Sequence, residues 1–92
     1  YGGEEFALIL PTTDREETRA LVDRLRQEIG RGGTKPKVTI SAGIATFPTD
    51  ATDPDELVAA ADEALYESKR AGRNRVTASA RHLRASEPPA LA

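Results

Sequence analysis

Apolar residues form three short stretches in this chain that are each typical of a β-strand. Residues 6–10 are apolar throughout and are followed by Pro11, which predicts a fully buried strand. Residues 38–45 alternate between an apolar face and a face of small residues, and residues 75–79 alternate over a shorter length. On the small-residue face two interpretations stay open: another element packs closely against it, or a ligand lies there.

Two longer stretches have apolar residues at the three- and four-residue steps of amphipathic helices. The first helix is predicted over residues 15–29, with Thr13 or Asp14 as its N-cap and Gly30 as its C′ residue. Its apolar stripe consists of Thr18, Leu21, Val22, Leu25 and Ile29.

The second helix is predicted over residues 54–71. Asp53 as N-cap, Pro54 at the first helical position and Glu56 as reciprocal partner follow the rules for helix starts. Gly72 ends it. Its inner side carries Leu57, Ala61, Ala64, Leu65 and Ser68, with Val58 beside them, and so many small residues predict that the helix lies close to a sheet.

The predicted order is therefore strand, helix, strand, helix, strand, which indicates a layered sheet with helices against it. Residues 81–92 have no period and contain two adjacent prolines, so we expect a folded part over residues 1–80 and a disordered tail over 81–92. The chain begins without Met and has its strongest motif at the first residues, which suggests a fragment.

Composition restricts the classes of function. Ninety-two residues allow one small domain or part of a larger one. A formal net charge of -2 gives no indication of nucleic-acid binding, and no apolar run approaches the length of a membrane span. The absence of cysteine excludes disulfides, thiolate zinc sites and cysteine nucleophiles, and it fits a reducing cytosol. We therefore expect no nucleic-acid partner, no membrane contact from this segment, and a cytoplasmic location.

Two local motifs carry candidate chemistry. The turn Gly2-Gly3-Glu4-Glu5 precedes the first predicted strand. Its paired carboxylates could hold a divalent cation, or they could be solvated acids on an ordinary hairpin. Residues 69–75 hold four cations at the end of the second helix. They either offset the helix dipole, or Lys69 and Arg73, four apart across Gly72, reach one polyphosphate.

Three stretches together resemble the GGDEF family of diguanylate cyclases. Residues 1–6, YGGEEF, are similar to the family's signature hairpin in its GGEEF form, and residues 38–45, VTISAGIA, resemble its central strand. Residues 61–76, ADEALYESKRAGRNRV, are similar to its closing motif. The resemblance implies an α+β fold of the nucleotide-cyclase type, with a ferredoxin-like palm sheet.

The resemblance also implies an activity, the condensation of two GTP to cyclic di-GMP and pyrophosphate by a homodimer. Glu5 would ligate Mg²⁺ or Mn²⁺, and Glu4 would help to hold the second metal and take the proton of the 3′-hydroxyl. Gly2 and Gly3 would lie against the nucleotide. Lys69 and Arg73 would hold the terminal phosphates.

Arg24 matches a position at which some family members bind cyclic di-GMP as an inhibitor, although a solvated helix arginine is the plainer interpretation. The family's N-terminal half, with a further metal-binding Asp and the guanine-reading residues, has no counterpart here. We therefore expect this segment, the C-terminal half of the domain, to have little activity alone and to self-associate through an open sheet edge. Two alternatives remain: a regulatory module that binds GTP or cyclic di-GMP without catalysis, and a structural fragment that needs a partner chain.

Overall fold

The computed structural model describes residues 14–32 and 38–82 of the chain. The element order along them is helix α1 (Arg15–Gly30), strand β1 (Ala42–Ile44), helix α2 (Pro54–Arg70) and strand β2 (Val76–Ala78). This order confirms the predicted α+β class and the last four of the five predicted elements. The strand predicted over residues 6–10 lies outside the described residues.

Both helices begin at an aspartate that caps the first turn. The Asp14 carboxylate accepts a hydrogen bond from the Glu17 N–H at 2.8 Å, and Asp53 accepts one from the Glu56 N–H at 2.8 Å. Each bond satisfies one of the backbone donors that a helix start leaves unpaired. The Glu56 carboxylate accepts a hydrogen bond from the Thr52 N–H at 3.5 Å, one residue before the predicted amide.

The two helices end in different ways. Helix α1 continues through Gly30 to a right-handed C-cap at Arg31, whose N–H donates to the Gln27 carbonyl oxygen at 3.1 Å. The prediction of Gly30 as a left-handed C′ residue is therefore wrong, because the chain leaves this helix without a left-handed residue at that point. Helix α2 ends at Arg70, one residue before the predicted end, and Gly72 follows with a φ of 121°.

The two strands are parallel and pair Ala42 with Val76, Gly43 with Thr77, and Ile44 with Ala78. Both are shorter than the sequence predicts, since β1 is paired only over the three residues that face β2. Each helix contacts both strands, and the two helices make no comparable contact with each other. The helices therefore lie on opposite sides of this small sheet.

Helix α2 packs directly against β1 at Gly43. A Cβ atom at this residue would collide with the carbonyl oxygen of Ala61 and the amide nitrogen of Leu65, and it would lie 2.9 Å from the Ala64 carbonyl carbon. Close packing, and not a ligand, therefore explains the small residue at this position. The Ser68 hydroxyl reinforces the contact by donating a hydrogen bond to the Ala42 carbonyl oxygen at 2.7 Å.

The buried apolar residues of the described ranges are few, and all except Ile44 are alanines: Ile44, Ala51, Ala60 and Ala64. On α2 the buried line is Ala60, Ala64 and Ser68, whereas Val58 stays 45% exposed. No residue of α1 is buried, and Leu25 in its apolar stripe is 43% exposed. Helix α1 is longer than the strands that it contacts. A 16-residue helix is about 24 Å long, whereas a three-residue strand covers only about 10 Å of it, so much of the apolar stripe of α1 has no strand beside it.

Candidate functional site

The basic end of α2 is a turn with a defined hydrogen-bond pattern. The Arg73 N–H donates to the Ser68 carbonyl oxygen at 2.9 Å, and the Gly72 N–H donates to the Lys69 carbonyl oxygen at 3.4 Å. Together with the positive φ of Gly72, these two bonds form a Schellman motif. The backbone of Arg73 is thereby held against the last turn of α2, which carries Lys69.

The backbone stays in the left-handed region after Gly72. Arg73 has a φ of 65° and Asn74 a φ of 46°, values that residues with a side chain seldom adopt. Such a conformation costs about 1–3 kcal/mol per residue and persists only where neighbouring contacts hold it. One of these contacts is a hydrogen bond of 3.1 Å from the Asn74 N–H to the Ser41 hydroxyl, next to the start of β1.

The four cations of this turn differ in their surroundings. Arg70 forms an ion pair with Glu67 at 2.8 Å, and that hydrogen bond raises the pKa of Arg70. The Arg75 Nε donates to the Arg73 carbonyl oxygen at 3.1 Å. Lys69 is half-buried, whereas the side chain of Arg73 is exposed and makes no ion pair with any residue of 14–32 or 38–82. Arg73 is thus the cation of this turn that is best placed to meet an anion.

The remaining predicted site residues are not at this turn within the described structure. Gly2, Gly3, Glu4 and Glu5 lie outside the described residues. Within ranges 14–32 and 38–82, no group of three acidic or histidine side chains could hold a metal ion. Arg24 lies exposed on α1. The structure therefore describes Lys69 and Arg73 of the predicted site, whereas their role and the acidic part of the site stay predictions.

A second charged cluster, which the sequence analysis did not predict, lies at the opposite end of the strands. Its centre is Asp50, whose side chain has no exposed surface. The Arg15 Nη2 donates to both carboxylate oxygens of Asp50 at 3.1 and 3.2 Å, and the Thr46 N–H donates at 2.9 Å. The His82 Nδ1 lies 2.8 Å from Asp50 Oδ1, and the same nitrogen lies 2.9 Å from the Arg15 Nη2.

The cluster keeps Asp50 ionised. Burial alone would raise its pKa, but the hydrogen bonds from the Thr46 N–H, from His82 and from Arg15 outweigh burial and lower the pKa below the ordinary value. These contacts join the start of α1, the loop after β1 and the segment after β2. No local pattern predicts them, since Asp50 is 35 residues from Arg15 and 32 from His82.

Residues 81 and 82 belong to this folded part, although the sequence analysis assigned them to a tail. The Arg81 Nη2 donates to Glu63 on α2 at 2.6 Å, and the His82 N–H donates to Asp50 at 3.2 Å. Contacts with the rest of the domain therefore continue two residues past the predicted boundary at residue 80. Residues 83–92 lie outside the described residues, and the division of the chain near residue 80 stays a prediction.

The fold and the turn define a class of protein: a small α+β domain with a basic turn at the amino ends of two parallel strands. The family model described as "Diguanylate cyclase, GGDEF domain" matches residues 1–75. This match covers most of the chain and includes both residues 2–5, the predicted acidic turn, and the basic turn. The chain belongs to the GGDEF family, and the family resemblance of its motifs is confirmed.

Curated relatives agree with this assignment. The chain is 41% identical over 88 residues to Diguanylate cyclase A of Treponema denticola, and the alignment covers 90% of this chain and 24% of the relative. It is 43% identical over 82 residues to Probable diguanylate cyclase DgcT of Escherichia coli, with 82% of this chain and 18% of the relative covered. Response regulator PleD of Caulobacter vibrioides is 33% identical over 87 residues, with 87% and 19% covered.

The chain thus spans about a quarter or less of the length of these relatives. Among the described residues, neither helix combines the length and the apolar character that crossing a bilayer requires.

Proposed function

We propose that this domain condenses two molecules of GTP into cyclic di-GMP with release of pyrophosphate. Membership of the GGDEF family supports the proposal, and the names of several relatives are those of diguanylate cyclases. The observation that carries it is the Schellman turn, which fixes Arg73 beside the last turn of α2 and leaves its guanidinium exposed. A fixed, exposed guanidinium is suited to a phosphate group.

The path of the chain supports a position for the acidic turn at the same end of the sheet. Helix α1 begins with Arg15 beside Asp50, at the carboxyl end of the strands, and its Arg26 contacts Asn74 at the other end. A strand over residues 6–10 would therefore finish near the start of α1. It would begin about 17 Å away, at the end where Arg73 lies, if it runs along the sheet. In this arrangement Glu4 and Glu5 would lie at the same end of the sheet as the basic turn.

Each residue then has a defined role. Gly2 and Gly3 let the backbone approach the nucleotide, because they have no side chain in the way. Lys69 and Arg73 hold the terminal phosphates and offset the charge that develops on pyrophosphate. Glu4 takes the proton from the attacking 3′-hydroxyl.

The paired carboxylates also fit a divalent metal, since Mg²⁺ and Mn²⁺ prefer oxygen ligands. Glu5, with Glu4 beside it, would hold the ion. When bound, Mg²⁺ or Mn²⁺ would neutralise part of the negative charge of the phosphates.

The product joins two nucleotides, so the active form is a homodimer in which each copy presents one GTP. Arg24, which is exposed on α1, is the residue that we assign to the binding of cyclic di-GMP as an inhibitor. Because GTP is available in the cytoplasm, we propose that the domain acts there.

The test is a turnover assay on the protein as it is encoded in its gene, with GTP and Mg²⁺ supplied and cyclic di-GMP measured by mass spectrometry. We expect product from the wild type and a loss of about 100-fold or more in Glu5→Gln, by analogy with the removal of one charge-stabilising group from an active site. Glu16→Gln makes the same chemical change on the exposed first turn of α1 and is the control. Tight GTP binding without any product would contradict the proposal and would favour the non-catalytic binding module.

A further inference from the structure

Arg26 on α1 contacts the turn that carries Arg73. Its Nη1 donates to the side-chain oxygen of Asn74 at 2.9 Å and approaches the Asn74 carbonyl oxygen at 3.4 Å. The two residues are 48 positions apart in the chain. This is a direct link between α1 and the basic turn, and none of the sequence motifs predicts it.

Asp23 fixes the orientation of the Arg26 side chain. The Arg26 Nε donates to Asp23 Oδ1 at 2.7 Å, and Gln27 donates to Asp23 Oδ2 at 2.9 Å. The hydrogen bond from Arg26 is the main reason that the pKa of Asp23 is lowered, and the one from Gln27 comes next. Both carboxylate oxygens are therefore engaged, and the guanidinium is held through its Nε while its Nη1 meets Asn74.

The basic turn needs such support. Arg73 and Asn74 are both left-handed; Asn adopts this conformation readily, but for Arg73 it is unfavourable without neighbouring contacts. The Asn74 N–H is bound by the Ser41 hydroxyl at 3.1 Å, and the Asn74 side chain is bound by Arg26. Asn74 is thus held from two different elements, and its neighbour Arg73 is the residue whose guanidinium remains exposed.

We infer that Arg26, oriented by Asp23, is a positioning residue that holds the turn of Arg73 in its phosphate-binding conformation. This inference rests on the proposed function, because it takes Arg73 to contact the phosphates of GTP. Arg26 itself binds no nucleotide in this account. It acts through Asn74, so its removal lowers affinity only as far as Arg73 contributes to that affinity.

The first experiment measures the dissociation constant of GTP with Mg²⁺ in the protein as encoded. Arg26→Ala should raise it by about tenfold, close to the lower end of the effect of losing a hydrogen bond from a charged group. Arg26→Lys keeps the charge but lacks the planar fork that binds Asp23 and Asn74 together, so it should raise the dissociation constant almost as much. Arg31→Ala removes an exposed positive charge at the C-terminal end of the same helix and should leave it unchanged.

The second experiment repeats Arg26→Ala in a protein that already carries Arg73→Ala. Because Arg26 acts through Arg73, the second substitution should then have little further effect, which is a strong departure from additivity. If Arg26→Ala raised the dissociation constant of GTP by the same factor with and without Arg73→Ala, the inference would be overturned. Recovery of wild-type affinity by Arg26→Lys would also overturn it, since charge alone would then explain the effect.

A measurement without nucleotide separates this inference from the proposed function. The amide signals of Arg73 and Asn74 in a ¹⁵N–¹H spectrum should shift in Arg26→Ala and stay in place in Arg31→Ala. If these signals shift while Arg73→Ala leaves GTP affinity unchanged, the structural link exists and the proposed role of Arg73 is wrong. If they do not shift, Arg26 does not position the turn.

Discussion

Ser68 joins Arg73 to the sheet through two different groups. Its carbonyl oxygen accepts the Arg73 N–H at 2.9 Å, and its hydroxyl donates to the carbonyl oxygen of Ala42 in β1 at 2.7 Å. The Ser68 side chain is fully buried, and its hydroxyl also lies 2.6 Å from that of Thr77 in β2. Since Ser68 gives its one hydroxyl proton to Ala42, Thr77 is the donor in the second bond. The basic turn is therefore fixed relative to both strands.

Gly72 should not tolerate a side chain. Its φ of 121° strains any other residue, and an added Cβ would lie 3.0 Å from the Arg75 guanidinium. We expect Gly72→Ala to lower the free energy of unfolding by about 1–3 kcal/mol, measured by urea denaturation.

Gly30→Ala is the matched control for that substitution. Gly30 is helical, and a Cβ atom there meets nothing within 4 Å. Alanine should therefore stabilise the domain by about 0.4–1 kcal/mol, because it reduces the conformational freedom of the unfolded chain. Equal effects of the two substitutions would contradict the left-handed conformation of Gly72.

Gly43→Ala tests the close contact between β1 and α2. The added methyl group would meet the backbone of α2 at Ala61 and Leu65, and backbone cannot move aside as a flexible side chain can. We expect a loss of about 3 kcal/mol or more in the free energy of unfolding, at the upper end of the cost of overpacking. A melting temperature equal to that of the wild type would show that α2 lies farther from the sheet than described.

Asp50→Asn should destabilise the domain by about 3 kcal/mol at neutral pH, because it leaves Arg15 without its buried anionic partner. Urea denaturation measures the change. Asp55→Asn, at an exposed position in the first turn of α2, should alter stability by less than about 1 kcal/mol.

The effect of Asp50→Asn should also depend on pH. The pKa of Asp50 is lower in the folded state than in the unfolded chain, so its contribution is complete above about pH 5. The contribution is lost as the pH falls through the lowered pKa, since the unfolded chain takes up the proton first. The difference between wild type and Asp50→Asn should therefore shrink at acidic pH, and a difference that stays constant down to about pH 2 would contradict the charged cluster.

Sequence patterns predicted the elements of this domain well where the signals are local. The N-caps Asp14 and Asp53 and the left-handed Gly72 each follow from a few neighbouring residues. The end of α1 was wrong by one residue, because glycine at position 30 permits a left-handed conformation without requiring it.

Contacts between residues that are distant in sequence could not be predicted. The Asp50 cluster and the contact from Arg26 to Asn74 join positions at least 32 residues apart, and no periodicity relates them. The lengths of β1 and β2 could not be predicted either, because they depend on how far the two strands pair with each other. The end of α2, by contrast, was predicted to within one residue, since Gly72 and the cations around it form one short motif, whereas the role of these cations in a site stays a prediction.

The central claim is that the acidic turn and the basic turn form one nucleotide–metal site, and a paramagnetic ion tests it most directly. Mn²⁺ and a non-hydrolysable GTP analogue would be added to ¹⁵N-labelled protein, and line broadening would be measured at each amide. The account predicts strong broadening at Lys69 and Arg73 and little at Asp50, with the effect abolished by Glu4→Gln combined with Glu5→Gln. Broadening centred on Asp50, or broadening that the double variant retains, would contradict it.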